Sequence, residues 1–78
     1  MKKVIDLHGV SHEKALFIVE EYLLMNSFGN DLELELITGK STKLQKKIIK
    51  NILTKYDFNY YIPNHNTGLM YITDTKIN

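Results

Sequence analysis

Leu32-Glu33-Leu34-Glu35-Leu36 alternates apolar and acidic residues without a slip, and Thr38-Gly39-Lys40-Ser41 ends the pattern soon after. Strict period-two alternation marks a strand with one face buried and the other wet. A helix follows. Ser41 or Thr42 can cap it, and it reaches about Tyr56 with Leu44, Ile48, Ile49, Ile52 and Leu53 turned inward. The same succession occurs upstream. Lys3 to Leu7 reads as a short strand ended by Gly9, and Ser11 caps a helix to about Met25 whose buried stripe is Ala15, Ile18, Val19, Tyr22 and Leu23. Asn26 to Asp31, with Gly29 inside, reads as the turn between that helix and the alternating strand. Downstream, Phe58 to Ile62 and Leu69 to Thr73 are rich in strand formers, and Asn64-His65-Asn66-Thr67-Gly68 joins them as a hairpin. Pro63 lacks a ladder donor and belongs at a strand end.

The order is therefore β-α-β-α-β-β within a single domain over residues 1–78. Strands alternating with helices pair in parallel through right-handed crossovers, and the closing hairpin adds an antiparallel strand. The expected fold is α/β: a two-layer sandwich of a mixed four-stranded sheet with two helices on one face. The second strand's alternation predicts that the opposite face is polar.

Composition excludes several classes of function. Apolar residues make up 44% of the chain and charged residues 24%, proportions of a globular protein rather than a disordered one. With no cysteine there are neither disulfides nor thiolate metal sites, which fits a reducing compartment. No apolar run approaches the roughly 20 residues of a membrane span. Met1-Lys2-Lys3 leads directly into a strand, without the apolar stretch of a signal peptide. The expectation is a cytoplasmic protein with no membrane partner. The net charge of +1 hides an asymmetry: residues 1–36 hold three lysines and seven acids, residues 37–78 seven lysines and two acids. Every basic residue is lysine. Lysine meets phosphate as a point charge and lacks the fork with which arginine reads guanine, so any nucleic acid is read by backbone and shape.

Parallel sheets gather ligands at the carboxyl ends of their strands. There the first strand places Asp6-Leu7-His8-Gly9 and the second Thr38-Gly39-Lys40-Ser41. Asp6 and His8, two apart, should share a face with Leu7 buried on the other. Carboxylate and imidazole together can orient one another, move a proton or share a divalent metal. Gly39 lets backbone approach a ligand, the second helix opens with unpaired amides and a positive dipole end, and Lys40 adds a mobile cation. The string Gly39-Lys40-Ser41-Thr42 is not a nucleotide-binding P-loop, because that motif's first glycine falls on Leu34. Lys43, Lys46, Lys47 and Lys50 recur at i, i+3, i+4 and i+7, a basic ridge suited to phosphate contacts, although a lysine stripe is as commonly a solvated face. Phe17 and Leu24 stand among Glu13, Glu20 and Glu21 on the outer side of the first helix, as a partner patch or as ordinary exposed residues. Tyr60 and Tyr61 are expected on opposite faces of the hairpin; His12 and His65 are expected to be solvated.

With these residues assembled, the chain resembles the small MutS-related (Smr) domain family, with the domain standing alone. Asp6-Leu7-His8-Gly9 with Ser11 and Ala15 is similar to that family's first hallmark. Ile37-Thr38-Gly39-Lys40 is similar to its second, usually written as His or Thr, Gly, any residue, Gly, and Thr67-Gly68 matches its closing glycine. The resemblance covers essentially the whole chain. It implies a two-layer fold like the C-terminal domain of bacterial translation initiation factor three, and nicking or endonuclease activity on DNA or RNA, in some members on messenger RNA at stalled ribosomes. Asp6 and His8 then become the candidate catalytic pair, and Thr38, Gly39 and Lys40 the substrate-binding turn. One departure stands out. Ser41 replaces the motif's second glycine, which is costly if the position needs positive φ and acceptable if it caps the helix.

Three functions compete at this point. The first is an endonuclease or nickase acting through Asp6 and His8, with Lys40, Ser41 and the lysine ridge on the backbone. A divalent metal such as Mg²⁺ is an open possibility, held by Asp6 and His8 and completed by water and substrate oxygens. The second is a binding module for RNA, DNA or a ribosome without catalysis. The third is a protein-interaction adaptor using Phe17 and Leu24.

Overall fold

The structure is a computed structural model and describes residues 2–26 and 32–73. Four strands, β1 (Lys2–Asp6), β2 (Glu33–Ile37), β3 (Asn59–Tyr61) and β4 (Leu69–Thr73), form one mixed sheet in the order β1-β2-β4-β3. β1 and β2 are parallel, while β4 runs antiparallel to both β2 and β3. α1 (His12–Asn26) and α2 (Thr42–Ile48) cover a single face. One apolar cluster joins Ala15, Val19 and Leu23 of α1 and Leu44 and Ile48 of α2 to Leu34, Leu36, Met70 and Ile72 of the sheet. The architecture is the α/β two-layer sandwich that the alternation in β2 predicts. The turn expected across Asn26 to Asp31 lies, beyond Asn26, outside the described residues.

The opposite face carries Lys2, Val4 and Asp6 of β1, Glu33, Glu35 and Ile37 of β2, Leu69, Tyr71 and Thr73 of β4, and Tyr61 of β3, as the registers dictate. It is not uniformly polar. Lys2 Nζ pairs with Glu35 Oε1 at 3.0 Å and lies 5.9 Å from the centre of the Tyr71 ring, which stacks on Tyr61 at 6.0 Å. The Glu35 hydrogen bond and charge raise the Lys2 ammonium above the usual lysine pKa.

The second helix departs from a plain α-helix. α2 passes without interruption into a π-turn (Ile49–Leu53) and a last α-turn, α3 (Thr54–Tyr56). The Thr54 N–H donates to Ile49 O, five residues back. Sequence spacing explains why. Leu44, Ile48, Ile52 and Tyr56 recur every four residues, and each step overshoots a 3.6-residue turn by roughly 40°. One wider turn takes up that drift and keeps Ile52 and Leu53 buried. Tyr56 then reaches α1, where its hydroxyl donates to Glu20 Oε2 at 2.6 Å.

Helix and hairpin meet at Asp57, whose φ of 64° is left-handed, and the Phe58 N–H donates to Leu53 O at 2.9 Å to close the helix end. Phe58 therefore has no amide to give the sheet, and β3 starts at Asn59 rather than at Phe58 as the sequence suggested. It stops before Ile62 and the buried Pro63, which has no donor to offer.

Asp57 bears a conformational strain that glycine avoids. Asp57→Gly should raise stability by about 0.5–1 kcal/mol, and Asp57→Val should lower it by at least about 1 kcal/mol. Urea unfolding followed by circular dichroism measures both changes.

Candidate functional site

Each parallel strand ends in the same way: a tight turn containing a left-handed glycine, then a serine that caps a helix. In the first turn the Val10 N–H donates to Leu7 O at 3.0 Å, and Gly9 has φ 80°. A type II turn requires positive φ at its third residue, which glycine supplies without strain. Ser11 Oγ accepts the Lys14 amide at 3.2 Å. In the second turn Gly39 has φ 66°, and Ser41 Oγ accepts the Leu44 amide, also at 3.2 Å. Ser41 itself is extended, with φ −90° and ψ 90°. It does not need positive φ, so serine in place of the motif's glycine serves as the helix cap.

The pairing of β1 with β2 brings the turns together. The Leu7 amide extends the ladder to Ile37 O at 2.9 Å, and the exposed His8 side chain follows immediately. Its Cδ2 lies 3.6 Å from the point where a Cβ on Gly39 would sit, so imidazole and glycine turn share one surface. Leu7 is buried, as expected.

Asp6 makes a contact that its spacing did not predict. β1 ends at Asp6, and His8 lies in the turn rather than on the strand. Asp6 Oδ1 accepts the His8 backbone N–H at 2.9 Å. A short carboxylate that grips the amide two residues on substitutes for strand pairing and starts a turn. Asp6 thus fixes the backbone that carries the imidazole.

Thr38 also moves from contact to support. It is only 4% exposed. Its amide donates to Gly68 O at 2.9 Å, and its hydroxyl lies 2.9 Å from Gly39 O and 3.1 Å from Gly68 O, sharing one proton between two carbonyls. Gln45, 5% exposed, donates through Nε2 to Thr38 Oγ1 at 2.9 Å and to Thr67 O at 2.8 Å. Gly68 is packed so closely that an added Cβ would lie 3.4 Å from the carbonyl carbon of Gly39 and 3.3 Å from Asn66 Oδ1. The closing glycine is a spacer that lets the hairpin lie against the site turn.

The lysines of the ridge, Lys43, Lys46, Lys47 and Lys50, are all exposed, as is Lys40. Lys47 Nζ lies 3.3 Å from His12 Nδ1, so the ridge touches the start of α1. His12 is half-buried, not the solvated residue its position suggested; His65 is exposed. Two members of this assembly escape sequence reasoning. Gln45 sits in step with Ile48 and Ile52, so the core stripe itself marks it as inward. His12 follows a capping serine, and two parallel strands place the helices they feed side by side.

Among the described residues, no three His, Cys, Asp or Glu side chains gather as a metal cluster. With Asp6 and His8 as its protein ligands, an ion such as Mg²⁺ bound there would take most of its ligands from water and substrate. No helix among the described residues is long and apolar enough to cross a membrane. Comparison with protein-family models, curated proteins and solved structures finds no match in any of the three.

The buried clip yields a measurable prediction. Thr38→Val removes the acceptor of a buried amide N–H and should cost about 1–3 kcal/mol. Gln45→Leu should cost less when made in the Thr38→Val background than alone, because the orphaned donor goes with it. A double-mutant cycle by thermal unfolding tests this, and additivity within about 0.3 kcal/mol would deny the coupling.

Proposed function

We propose that this domain binds nucleic acid through its sugar-phosphate backbone and cleaves it, as an endonuclease or nickase of the small MutS-related kind. The observation that carries the reading is the approach of His8 to the Gly39 turn. Two segments about thirty residues apart each supply half of one exposed edge. A phosphodiester laid along that edge meets a proton-transfer group and a mobile cation, with the lysine ridge available to the flanking phosphates.

The chemistry assigned to each residue is limited. His8 takes a proton from the attacking oxygen, or returns one to the leaving oxygen, as a general acid–base group. Lys40 faces the charge that develops on the phosphoryl oxygens. Asp6 holds the His8 backbone through the turn, and Thr38 with Gln45 holds the Gly39 backbone. The attacking oxygen differs with substrate. RNA carries its own 2′-hydroxyl, whereas DNA requires water. Cytoplasmic action on RNA or DNA, including RNA on a ribosome, fits a site with no arginine for base reading.

A second reading has a specific observation behind it. Asp6 commits a carboxylate oxygen to the His8 amide, which is the behaviour of a turn residue, and a turn plus a lysine ridge is sufficient for binding alone. Asparagine separates the two cases, since its side-chain carbonyl can still accept the His8 amide. Asp6→Asn should retain cleavage if Asp6 serves only the turn, and lose it if the negative charge orients a proton or a metal.

The decisive experiment incubates labelled single- and double-stranded RNA and DNA with the protein, with and without Mg²⁺. His8→Ala should reduce cleavage by at least about 100-fold, since general acid–base groups contribute about 10²–10⁴. Binding should stay within about 1 kcal/mol of wild type, because such a group acts mainly in the transition state. Binding without cleavage of any substrate would leave the non-catalytic module in its place. Replacing Lys43, Lys46, Lys47 and Lys50 by glutamine should weaken binding and flatten its salt dependence, by roughly 0.7–0.9 in log–log slope for each phosphate left unneutralised. An unchanged slope would make the ridge a solvated face.

A further inference from the structure

α1 is apolar on two sides. Ala15, Val19 and Leu23 face the core and are fully buried. On the other side Phe17 is 64% exposed, Leu24 45% and Met25 66%, and together with Glu20 and Glu21 they line a shallow groove formed by α1 alone. Positions 17, 20, 21, 24 and 25 are i, i+3, i+4, i+7 and i+8, the spacing of a complete helix-packing stripe. A surface helix with one buried face has no structural use for a second stripe of this size. Exposed apolar side chains gathered in a groove with charged ones are a feature of docking sites.

We propose that this stripe docks a basic amphipathic helix of a protein partner. Its charge selects the occupant. Glu20 and Glu21 lie in the middle of the stripe, between Phe17 and Leu24, with Glu13 further along the same side. Glu20 is held in place by the Tyr56 hydroxyl. Lys14, one turn before Phe17, is the only lysine of α1. Two copies of α1 packed antiparallel would oppose Phe17 to Leu24 and set Glu20 against Glu21 of the other copy, with four carboxylates about the symmetry axis. Packed parallel, they would oppose Glu20 to Glu20. Like charges in a desolvated interface are costly, so a second copy of this chain is a poor occupant. An anionic lipid surface is repelled by the same residues. A helix with leucine-like residues flanking a central pair of lysines or arginines complements both features: its apolar side chains meet Phe17, Leu24 and Met25, and its cations meet Glu20 and Glu21. The groove is lined by α1 alone and includes none of the ridge lysines, Lys43, Lys46, Lys47 and Lys50.

The test uses two synthetic amphipathic peptides about as long as α1, one of leucine and lysine and one of leucine and glutamate, titrated into the ¹⁵N-labelled protein. The leucine–lysine peptide should shift the amides around Phe17, Glu21, Leu24 and Met25. Phe17→Ser should weaken it at least about tenfold, and Glu21→Lys should move the preference toward the leucine–glutamate peptide. Both substituted positions are exposed, so these variants keep the fold. Equal binding of the two peptides, shifts confined to other surfaces, or unchanged affinity in Phe17→Ser would each overturn the proposal. So would sedimentation equilibrium showing a dimer that Phe17→Ser dissolves, because the stripe would then be covered by its own kind. None of these readouts depends on nucleic-acid cleavage.

Discussion

The turn that presents Gly39 depends on the buried hydroxyl of Thr38. It stands where β2 ends, accepts from Gln45 of the second helix and lies against carbonyls on either side, one in its own turn and one in the hairpin before β4. Three elements meet at one oxygen. Gln45 uses its two amide hydrogens on Thr38 and Thr67, and no buried side-chain nitrogen or oxygen among the described residues is left without a partner. A network that is fully satisfied in a low-dielectric interior fixes one geometry, since every partial alternative strands a donor or acceptor. The gain for the surface is indirect. Gly39 can present backbone next to His8 because the residue before it is anchored and the glycine behind it, Gly68, has no side chain to push it away.

A small sheet with helices on one side has little core from which to draw stability. This chain has neither disulfide nor cysteine to compensate. What it has is repetition of one local solution. Both parallel strands hand the chain to a helix through a left-handed glycine and a serine cap, at Gly9 with Ser11 and at Gly39 with Ser41. Each cap satisfies an amide that the first helical turn cannot pair, and each contributes about 1 kcal/mol. The two units differ in what fills the turn: Asp6 grips an amide from an exposed position in the first, and Thr38 grips carbonyls from a buried one in the second. The first turn is thereby left open to present a histidine, while the second is stiffened from below.

How much of this was legible follows from the range of the interactions. The alternation of Leu32 to Leu36 and the apolar spacing of the helices are local, and they carry the layers, the parallel pairing and the polar side of β2. The β4 boundaries also follow from local pattern, Gly68 before and alternation within. The π-turn is written in the four-residue spacing of Leu44, Ile48, Ile52 and Tyr56, but it becomes visible only if the accumulated drift is compared with a 3.6-residue turn. Propensity places the ends of β1 and β3 a residue away from where they fall: the Leu7 carbonyl is taken by the turn at Val10, and the Phe58 amide by the end of the second helix. Thr38 reads as a ligand contact from its motif position, which says nothing about burial. That fact depends on Gln45 and Gly68, respectively seven and thirty residues away in sequence.

Charge is distributed over this frame in a way that bears on any function the domain has. Both helices cover the same sheet face, yet α1 turns acids and three exposed apolar residues outward while the second helix turns out lysines. Where the helices meet, the polar contacts among the described residues are Lys47 with His12 and Tyr56 with Glu20, not a row of ion pairs. Had the opposite charges faced each other they would have neutralised one another; set on outward surfaces, each keeps its own field. A small net charge therefore coexists with two strong local ones, and at physiological ionic strength fields separated by more than about 8 Å act nearly independently. With no arginine on either surface, attraction is broad and shape has to supply the selectivity. On the basic side that shape is the edge made by His8 and the Gly39 turn, the place that the buried polar network holds rigid.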